Sequence, residues 1–355
     1  MGKIRVLVID NSALMRRLIC DALAGDPQIE IVGEAGDGIE ALEAVERLRP
    51  GVLTLDVDMP RLDGLQVLRQ LMRALPTPVV VVSGILRPEV VIAALQEGAV
   101  DFVPKPSGTM SIDLYKVHRE LLDKVRLAAQ VDIQALAVRT REARARGGRL
   151  TAPLRPLVPQ ATAGPGARRV IAIAASSGGP QALDVLIPAL PADLPAAVAI
   201  VQHMPGGFTA SLADRLHRRS MLAVTEARGG DVLRAGRAYV APGGRHLRLA
   251  RGSAGMCAVL DDGAPVRGLR PCANMLMGSV AELCGAAGLG VVLTGMGSDG
   301  AEGCLAIRAA GGRTIVQDEA SSLIYGMPRA AAAYADRILP LEEIATELVR
   351  WARAG

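Results

Sequence analysis

Residues 170–183 read VIAIAASSGGPQAL, and the pattern in this stretch decides the fold. An apolar run ends at two serines, and two glycines and a proline then open a segment with helical spacing. A continuous apolar run is typical of a strand that is buried on both faces of a parallel sheet. The glycines permit a tight turn, and proline suits the first position of a helix. The stretch therefore predicts a strand, a turn and a helix.

The same alternation of strand and helix continues to the C-terminus. AAVAIVQH precedes the helical pattern GFTASLADRLHRR, and GVVLTGMGSDG precedes AEGCLAIRAAG. Between them, RAYVAPGGRHLRLARGSAGMCAVLDDG alternates short strands with glycine-centred turns. The pattern predicts an α/β domain over 168–355, with a mainly parallel sheet and an antiparallel hairpin.

The first part of the chain, residues 1–128, has a similar rhythm. Five apolar runs alternate with helical patterns: IRVLVID, IEIVGEA, VLTLDVD, PVVVVSG and DFVPKP. Right-handed crossovers between parallel strands restrict this pattern to a doubly wound, five-stranded parallel sheet. Residues 129–167 lack such a rhythm and are rich in Pro, Ala and Gly, which predicts a linker whose first section is at most a frayed helix.

The composition excludes several classes of protein. The chain has 355 residues, of which 50% are hydrophobic and 2% aromatic, and its net charge is only +4. The few aromatic residues argue against a nucleic-acid surface built on stacked bases. Five cysteines without a C-x-x-C pair indicate reduced thiols rather than disulfides or a zinc site. No apolar run approaches the roughly 18 residues of a membrane helix, and no signal peptide is evident, so we expect a cytoplasmic protein.

Polar residues follow the strands of the first domain. Asp10 and Asn11 follow the first strand, Asp56 the third, Ser83 the fourth and Lys105 the fifth. Because these strand ends meet at one edge of the sheet, we expect the side chains to lie together. Oxygen ligands beside a lysine suit Mg²⁺ and an incoming phosphoryl group. The alternative for each residue alone is a solvated loop or helix-cap position.

These residues and the motifs VIDNS, TLDVDMPRLDG, VVVVSG and DFVPKP resemble the flavodoxin-like receiver domain of response regulators. The resemblance implies that Asp56 accepts a phosphoryl group and that Ser83 and Lys105 sense it. It further implies a Mg²⁺ site whose ligands are Asp10, Asn11, Asp56 and the backbone carbonyl of Asp58. Receivers commonly have a second acid at position 11. The amide of Asn11 supplies no charge there.

In the second domain, Ser176, His203 and Asp299 each follow a different apolar strand. A serine nucleophile needs a neighbouring base and a group that orients the base. His203 is the only histidine that ends an apolar strand. His118 and His217 are expected on helix surfaces, and His246 begins a short strand.

Two alternatives compete with a catalytic serine in this turn. Ser176 or Ser177 could cap the following helix, which is a frequent role of serine. A phosphate-binding glycine loop is the second alternative. However, AASSGG lacks the G-x-G-x-x-G spacing and a Walker lysine.

The motifs AIAASSGGPQAL, IVQHMPGGFTASLADRL, YVAPGGRHLRL, VVLTGMGSDGAEG and QDEASSLIYGMPRAA resemble the CheB-type chemotaxis methylesterases. The resemblance implies that Ser176 is the nucleophile, His203 the general base and Asp299 its orienting carboxylate. It makes the Met296 amide an oxyanion donor and leaves Ser177 as a helix cap or a neighbour of the oxyanion. Ala174 and Ser177 replace a glycine and a threonine that are usual in the family.

The resemblance implies a phosphorylation-regulated enzyme that demethylates glutamate methyl esters, and deamidates glutamines, on methyl-accepting chemotaxis receptors. A chemotaxis histidine kinase would be the phosphodonor, and the esterase site needs no metal. We expect a monomer that binds no nucleic acid. The alternative is a non-enzymatic response regulator whose C-terminal domain only binds receptors or the kinase. A DNA-binding output is disfavoured because no helix-turn-helix pattern is evident.

Overall fold

The structure, a computed structural model, describes residues 2–84, 87–105, 111–147 and 166–354. The described residues separate into two compact units, one before and one after the gap at 148–165. Each unit has its own parallel sheet. The two-domain α/β architecture expected from the alternation of strands and helices is therefore confirmed.

The first unit contains a five-stranded parallel sheet in the order β2-β1-β3-β4-β5. Its strands are β1 (Ile4–Ile9), β2 (Ile29–Ala35), β3 (Val52–Leu55), β4 (Val79–Ser83) and β5 (Asp101–Pro104). Every residue of β3 and β4 is buried. Helices on both faces exclude water from these central strands, which explains their continuous apolar sequences.

The helices of the first unit are α1 (Ala13–Ala24), α2 (Gly38–Leu48), α3 (Gly64–Ala74), α4 (Pro88–Gln96), α5 (Ser111–Ala128) and α6 (Ile133–Gly147). Side chains cap the first three: Ser12, Asp37 and Asp63 each accept hydrogen bonds from backbone N–H groups of the first turn. These caps satisfy donors that have no partner inside the helix.

Helix α6 lies in the segment that composition predicts to be a linker. Its Leu136, Ala137 and Thr140 side chains are buried. The Arg141 guanidinium donates hydrogen bonds to the carbonyls of Met72 and Arg73, at the C-terminal end of α3, over 3.0 and 3.1 Å. Residues 133–147 of the predicted linker thus form a helix that packs on the first unit. Residues 148–165 of the linker lie outside the described part of the chain.

The second unit contains a seven-stranded sheet in the order β14-β13-β12-β6-β7-β9-β8, and its paired strands are parallel. The strands are β6 (Val170–Ala175), β7 (Ala197–Gln202), β8 (Ala223–Glu226), β9 (Arg237–Val240), β10 (His246–Gly252), β11 (Gly255–Asp261), β12 (Gly288–Val292), β13 (Arg313–Gln317) and β14 (Arg337–Leu339). β10 and β11 form a separate two-stranded sheet, an antiparallel hairpin. The prediction of a mainly parallel sheet with a hairpin is confirmed.

The helices of the second unit are α7 (Gly179–Leu186), α8 (Phe208–Arg219), α9 (Ala273–Cys284), α10 (Ala301–Ala309), α11 (Met327–Ala331) and α12 (Leu341–Arg353). The central strands β6, β7 and β12 are buried along their whole length. β6 pairs with β12 on one side and β7 on the other. The carboxyl ends of these three neighbours, with the residues that follow them, therefore lie at one edge of the sheet.

Candidate functional site

Ser176 occupies the turn between β6 and α7. Its N–H donates to the Thr294 carbonyl (3.1 Å), and its carbonyl accepts from the Gln202 side chain (2.9 Å). Gly178 has a φ of 77°, and a Cβ atom at Gly179 would lie 1.9 Å from the Gln202 Oε1 atom. Only glycine tolerates this backbone and this close approach. The turn therefore holds Ser176 at the end of the central strand, partly exposed to solvent.

The neighbouring Ser177 does not cap α7. The N-cap of this helix is Gly178, and no side chain makes a capping hydrogen bond. The helix-cap prediction for Ser177 is wrong, because the left-handed conformation places glycine at the cap position and leaves both serines outside the helix. The Ser177 carbonyl accepts a hydrogen bond from the Thr294 hydroxyl at 2.9 Å. The support of an oxyanion by Ser177 stays a prediction.

His203 and Asp299 are hydrogen bonded to each other. His203 directly follows β7, and its N–H donates to the Ala175 carbonyl at the end of β6 (3.0 Å). Asp299 lies in the loop between β12 and α10. Its Oδ2 atom is 2.8 Å from the His203 Nε2 atom, and both side chains are at least 90% buried. The structure therefore brings together two residues that lie 96 positions apart.

The charge of Asp299 determines which His203 nitrogen carries the proton. Burial alone would raise the pKa of Asp299, but His203 and the N–H groups of Ala273 and Asn274 outweigh it and lower the pKa to about 2. An ionised carboxylate only accepts hydrogen bonds, so Nε2 must donate. The lone pair of a neutral His203 ring is then on Nδ1, and this atom is the available base.

Ser176 and His203 come from adjacent strand ends, but no hydrogen bond joins the Ser176 hydroxyl to the His203 ring in the described residues. Such bonds are often long in an enzyme without substrate and shorten in the complex. Met296, a further predicted residue, follows Gly295, which lies beside Ser176. A Cβ atom at the preceding Gly295 would lie 2.7 Å from the Ser176 Cβ atom.

The Met296 N–H is available as an oxyanion donor. It donates to no group in the described part of the chain, whereas the N–H of Gly295 donates to Ile324. The Met296 side chain is 47% exposed. A free N–H near Ser176 has the character required to stabilise a developing oxyanion.

The other histidines have structural roles. His217 is 95% buried, which corrects its expected place on a helix surface, and its Nδ1 accepts from the Val224 N–H at 3.2 Å. His246 is fully buried, and its Nδ1 accepts from the Cys272 N–H. His118 is half-buried. The arginines next to His217 in the sequence suggest an exposed helix surface. His217 is nevertheless buried, because α8 packs against β8.

In the first unit, Asp10, Asp56 and Lys105 form a charged cluster at the carboxyl edge of the sheet. The Lys105 Nζ atom lies 2.8 Å from Asp10 Oδ2 and 2.8 Å from Asp56 Oδ2. Burial raises the pKa of Asp56, with a contribution from Asp10 and against the effect of Lys105. Burial would lower the pKa of Lys105, but hydrogen bonds to Asp10 and Asp56 raise it, so the lysine is a cation.

Ser83 and Asn11 border this cluster. Ser83 ends β4 and is buried, and its carbonyl accepts from the Lys105 N–H at 2.8 Å. The Asn11 Nδ2 atom donates to the Asp58 carbonyl at 2.8 Å. The Asp58 N–H donates to the Asp56 Oδ1 atom at 3.2 Å. The structure thus places the predicted phosphorylation and metal residues together.

The oxygen atoms in this cluster are suitable for Mg²⁺, which binds one or two carboxylates and retains several waters. The carboxylates are those of Asp10 and Asp56, and the carbonyl oxygens are those of Asn11 and Asp58. The described residues contain no cluster of three His, Cys, Asp or Glu side chains that could hold a metal. Asn11 stands where receivers commonly have a further acidic residue. Its NH₂ group, and not its oxygen, faces the Asp58 carbonyl.

Replacement of Asn11 with aspartate is expected to strengthen Mg²⁺ binding about tenfold, because an added carboxylate increases the charge on the ligands. The same change places a carboxylate beside the Asp58 carbonyl, so the melting temperature without Mg²⁺ should fall. Isothermal titration calorimetry with MgCl₂ and thermal unfolding measure the two effects. Equal Mg²⁺ affinity in both proteins would show that Asn11 lies outside the metal site. Asp63→Asn, in the α3 cap, is the control for an Asp/Asn exchange nearby.

The start of α9 contributes residues that the motifs do not reveal. Cys272, Ala273 and Asn274 all donate hydrogen bonds to Asp299. The Asn274 Oδ1 atom in turn accepts from the N–H groups of Gly300 and Gly303, at the start of α10. The N-cap of α9 is Cys272, a residue type that is not a usual cap, so the sequence has no capping signal for this helix.

Both halves of the chain match families of known proteins. Residues 171–348 match the family model of the CheB methylesterase, and residues 6–114 match the response regulator receiver domain. The protein-glutamate methylesterase/protein-glutamine glutaminase of Pyrococcus abyssi is 44% identical over 98% of this chain and 93% of its own length. The protein of the same name from Symbiobacterium thermophilum is 46% identical over 98% and 96%. The crystal structure of the Thermotoga maritima CheB methylesterase catalytic domain covers 53% of this chain and 99% of its own, with 37% identity and a TM-score of 0.50.

Proposed function

Because the chain belongs to the CheB methylesterase family and also contains a receiver domain, we propose that Ser176, His203 and Asp299 are its catalytic triad. The protein is a phosphorylation-regulated protein-glutamate methylesterase and protein-glutamine glutaminase of chemotaxis signalling. The main support for this assignment is the 2.8 Å hydrogen bond between His203 and Asp299. It lies at the edge of the sheet where β6 ends directly before Ser176. The prediction that the chain is an enzyme is confirmed.

The first half of the reaction forms an acyl-enzyme. The Ser176 Oγ atom attacks the carbonyl carbon of a glutamyl methyl ester, and the His203 Nδ1 atom takes the hydroxyl proton. The Met296 N–H donates to the oxygen that becomes negative. Collapse of the tetrahedral intermediate breaks the bond to the methoxy oxygen, which receives the proton from His203 and leaves as methanol.

The second half of the reaction restores the serine. His203 takes a proton from water as the water oxygen attacks the acyl carbon. The bond between the acyl carbon and Ser176 Oγ then breaks, and Oγ receives the proton from His203. The products are a free glutamate side chain and the original triad. A glutamine side chain reacts through the same intermediate, with ammonia in place of methanol as the leaving group. Asp299 stays ionised and stabilises the imidazolium that His203 forms in each half.

The receiver domain regulates this activity through Asp56. The Asp56 carboxylate accepts the phosphoryl group, and the Ser83 hydroxyl and Lys105 ammonium bind its oxygens. Asp10, Asn11, Asp56 and the carbonyl of Asp58 would hold Mg²⁺, which would offset the negative charge of the carboxylates and the phosphoryl group. Ser177 supports the oxyanion beside Met296. The esterase site uses no metal.

The substrates are methyl-accepting chemotaxis receptors, and a chemotaxis histidine kinase supplies the phosphoryl group. The protein acts as a cytoplasmic monomer that binds no nucleic acid. The described helices include none of the length and apolar character required to cross a bilayer. The domains are the receiver at 1–128, the linker at 129–167 and the catalytic domain at 168–355, with α6 as the helical first half of the linker.

A small-molecule phosphodonor is expected to raise the activity of the wild type, by about 5- to 100-fold, in line with usual coupling energies. Asp56→Asn should keep its basal activity and lose this response, because an amide cannot accept the phosphoryl group. The measurement is methanol release from receptor-containing membranes with labelled methyl esters, with and without phosphodonor and Mg²⁺.

Asp63→Asn is the matched control for this experiment. Asp63 lies in the same unit and caps α3, a role that asparagine also fills. This variant should respond like the wild type. An undiminished response in Asp56→Asn would refute the assignment of Asp56 and leave the esterase intact. If the wild type releases no methanol under any condition, the assignment of the triad fails.

A further inference from the structure

The first turn of α9 forms a binding site for the Asp299 carboxylate. The Ala273 N–H donates to Oδ2 at 2.6 Å, and the Asn274 N–H donates to Oδ1 at 3.0 Å. The Cys272 thiol, at the N-cap of this helix, is 3.2 Å from Oδ1. The N-terminus of a helix favours negative charge. The first turn of α9 therefore contacts both carboxylate oxygens: Ala273 shares Oδ2 with His203, and Asn274 and Cys272 donate to Oδ1.

Cys272 is a permanent donor in this site. Its side chain is almost fully buried, and burial together with the Asp299 charge raises the pKa of the thiol to about 12. The sulfur therefore keeps its proton at neutral pH. Its backbone is held as well, since the Cys272 N–H donates to the His246 Nδ1 atom at 3.2 Å.

The thiol differs in kind from the other groups on Oδ1. The other donors to Oδ1 are the backbone N–H groups of Asn274 and Gly300, which do not depend on the side chain at those positions. Among the described residues, Cys272 provides the only side-chain donor to this oxygen. A substitution at Cys272 can therefore change the hydrogen bonding of the carboxylate while the backbone donors stay in place.

We propose that Cys272 is a positioning residue of the esterase: its thiol holds the Asp299 carboxylate and thereby sets the orientation and basicity of His203. This inference rests on the triad proposed above. Without the thiol, Oδ1 loses one donor, so more of the negative charge of the carboxylate is available to the His203 imidazolium. The carboxylate also loses one of the contacts that limit its rotation.

The test measures methanol release against pH for the wild type, Cys272→Ala and Cys272→Ser. In Cys272→Ala we expect kcat to fall about three- to tenfold, the usual effect of one hydrogen bond. The acidic limb of the kcat/KM profile, which reports the ionisation of His203, should move up by about half a pH unit. Cys272→Ser keeps a donor and should restore both the rate and the profile to near the wild type.

Cys304→Ala is the control for loss of packing. Cys304 lies in α10, is fully buried, and makes no hydrogen bond to Asp299 in the described residues. This variant also removes a buried thiol from the second unit, so its thermal stability should fall while its pH profile stays unchanged.

Three results are decisive for this inference. An unchanged pH profile in Cys272→Ala would overturn the positioning role and leave Cys272 as a packing residue. A Cys272→Ser variant as impaired as Cys272→Ala, while correctly folded by circular dichroism, would also overturn it. Activity that persists in Ser176→Ala would instead refute the triad itself, so the two failures can be distinguished.

Discussion

Replacement of Ser176 with alanine is expected to lower the rate of methanol release by about 10⁴-fold or more, the usual effect of removing the nucleophile from a triad. Alanine leaves the turn intact, because the backbone N–H and carbonyl of residue 176 keep their partners on Thr294 and Gln202. Binding of the substrate should therefore persist while acylation stops. The measurement is methanol release under single-turnover conditions, with circular dichroism to verify the fold.

Ser177→Ala is the matched control, because it removes the adjacent hydroxyl and preserves every backbone donor of the turn. We expect a loss of less than about tenfold, the range of one hydrogen bond. The pair of variants answers whether a serine in this turn acts as a nucleophile or as a support. A larger loss in Ser177→Ala than in Ser176→Ala would reverse the assignment.

The second large effect is expected for Asp299→Asn, with kcat lower by about 10⁴-fold. Oδ2 of Asp299 now accepts hydrogen bonds from Ala273 and His203, and Oδ1 accepts them from Asn274 and Gly300. In an asparagine the NH₂ group replaces one of these two oxygens and faces its donors. Where the NH₂ group faces His203, Nε2 must accept and Nδ1 carries the proton. His203 in that tautomer cannot take the proton of Ser176.

The same substitution should change the dependence of stability on pH. The pKa of Asp299 falls from 3.8 to about 2 in the folded protein. A lowered pKa stabilises the folded state above the unfolded value, and this contribution is lost as the pH decreases through the folded value. The wild type should therefore lose about 2 kcal/mol relative to Asp299→Asn between pH 4 and pH 2, as ~1.4 kcal/mol corresponds to each pKa unit.

Urea unfolding of both proteins across this pH range measures the difference. Asp262→Asn, which alters an exposed carboxylate paired with Arg245 in the same domain, is the control and should keep its rate of methanol release. A constant difference in stability between the wild type and Asp299→Asn from pH 4 to pH 2 would contradict the low pKa. A rate within tenfold of the wild type would contradict the role of Asp299.

Much of the fold was predictable because parallel α/β sheets have a strong one-dimensional signature. The strands β3, β4, β6 and β7 are mainly apolar and alternate with helices, and this pattern alone implies strands that are covered on both faces. The sequence predicted at most a frayed helix in the segment of α6, because polar residues dominate there. Its apolar positions 133, 136 and 137 nevertheless have helical spacing.

The residues of the site were predictable from their places at strand ends, but their hydrogen bonds were not. The turn at Ser176 has the spacing for a serine cap, yet Gly178 is the residue at the cap. Asn11 was expected as a metal ligand, and in the structure its NH₂ group bonds to the Asp58 carbonyl. Such partners depend on side-chain rotation and loop packing, for which the sequence has no periodic signal.

The amino-acid sequence by itself determined the two α/β domains, because strands alternate with helices in both. It also determined that Asp56 and Lys105 lie at one edge of the first sheet and that Ser176, His203 and Asp299 lie at one edge of the second. The reason is that the carboxyl ends of parallel strands all lie on one side of a sheet. Only the tertiary structure decided that His203 turns Nε2 toward Asp299 and that Cys272 holds the carboxylate. The partners in these two contacts lie 96 and 27 positions apart. Hydrogen bonds over such separations form only when packing of β7, α9 and the loop after β12 brings their donors and acceptors within bonding distance.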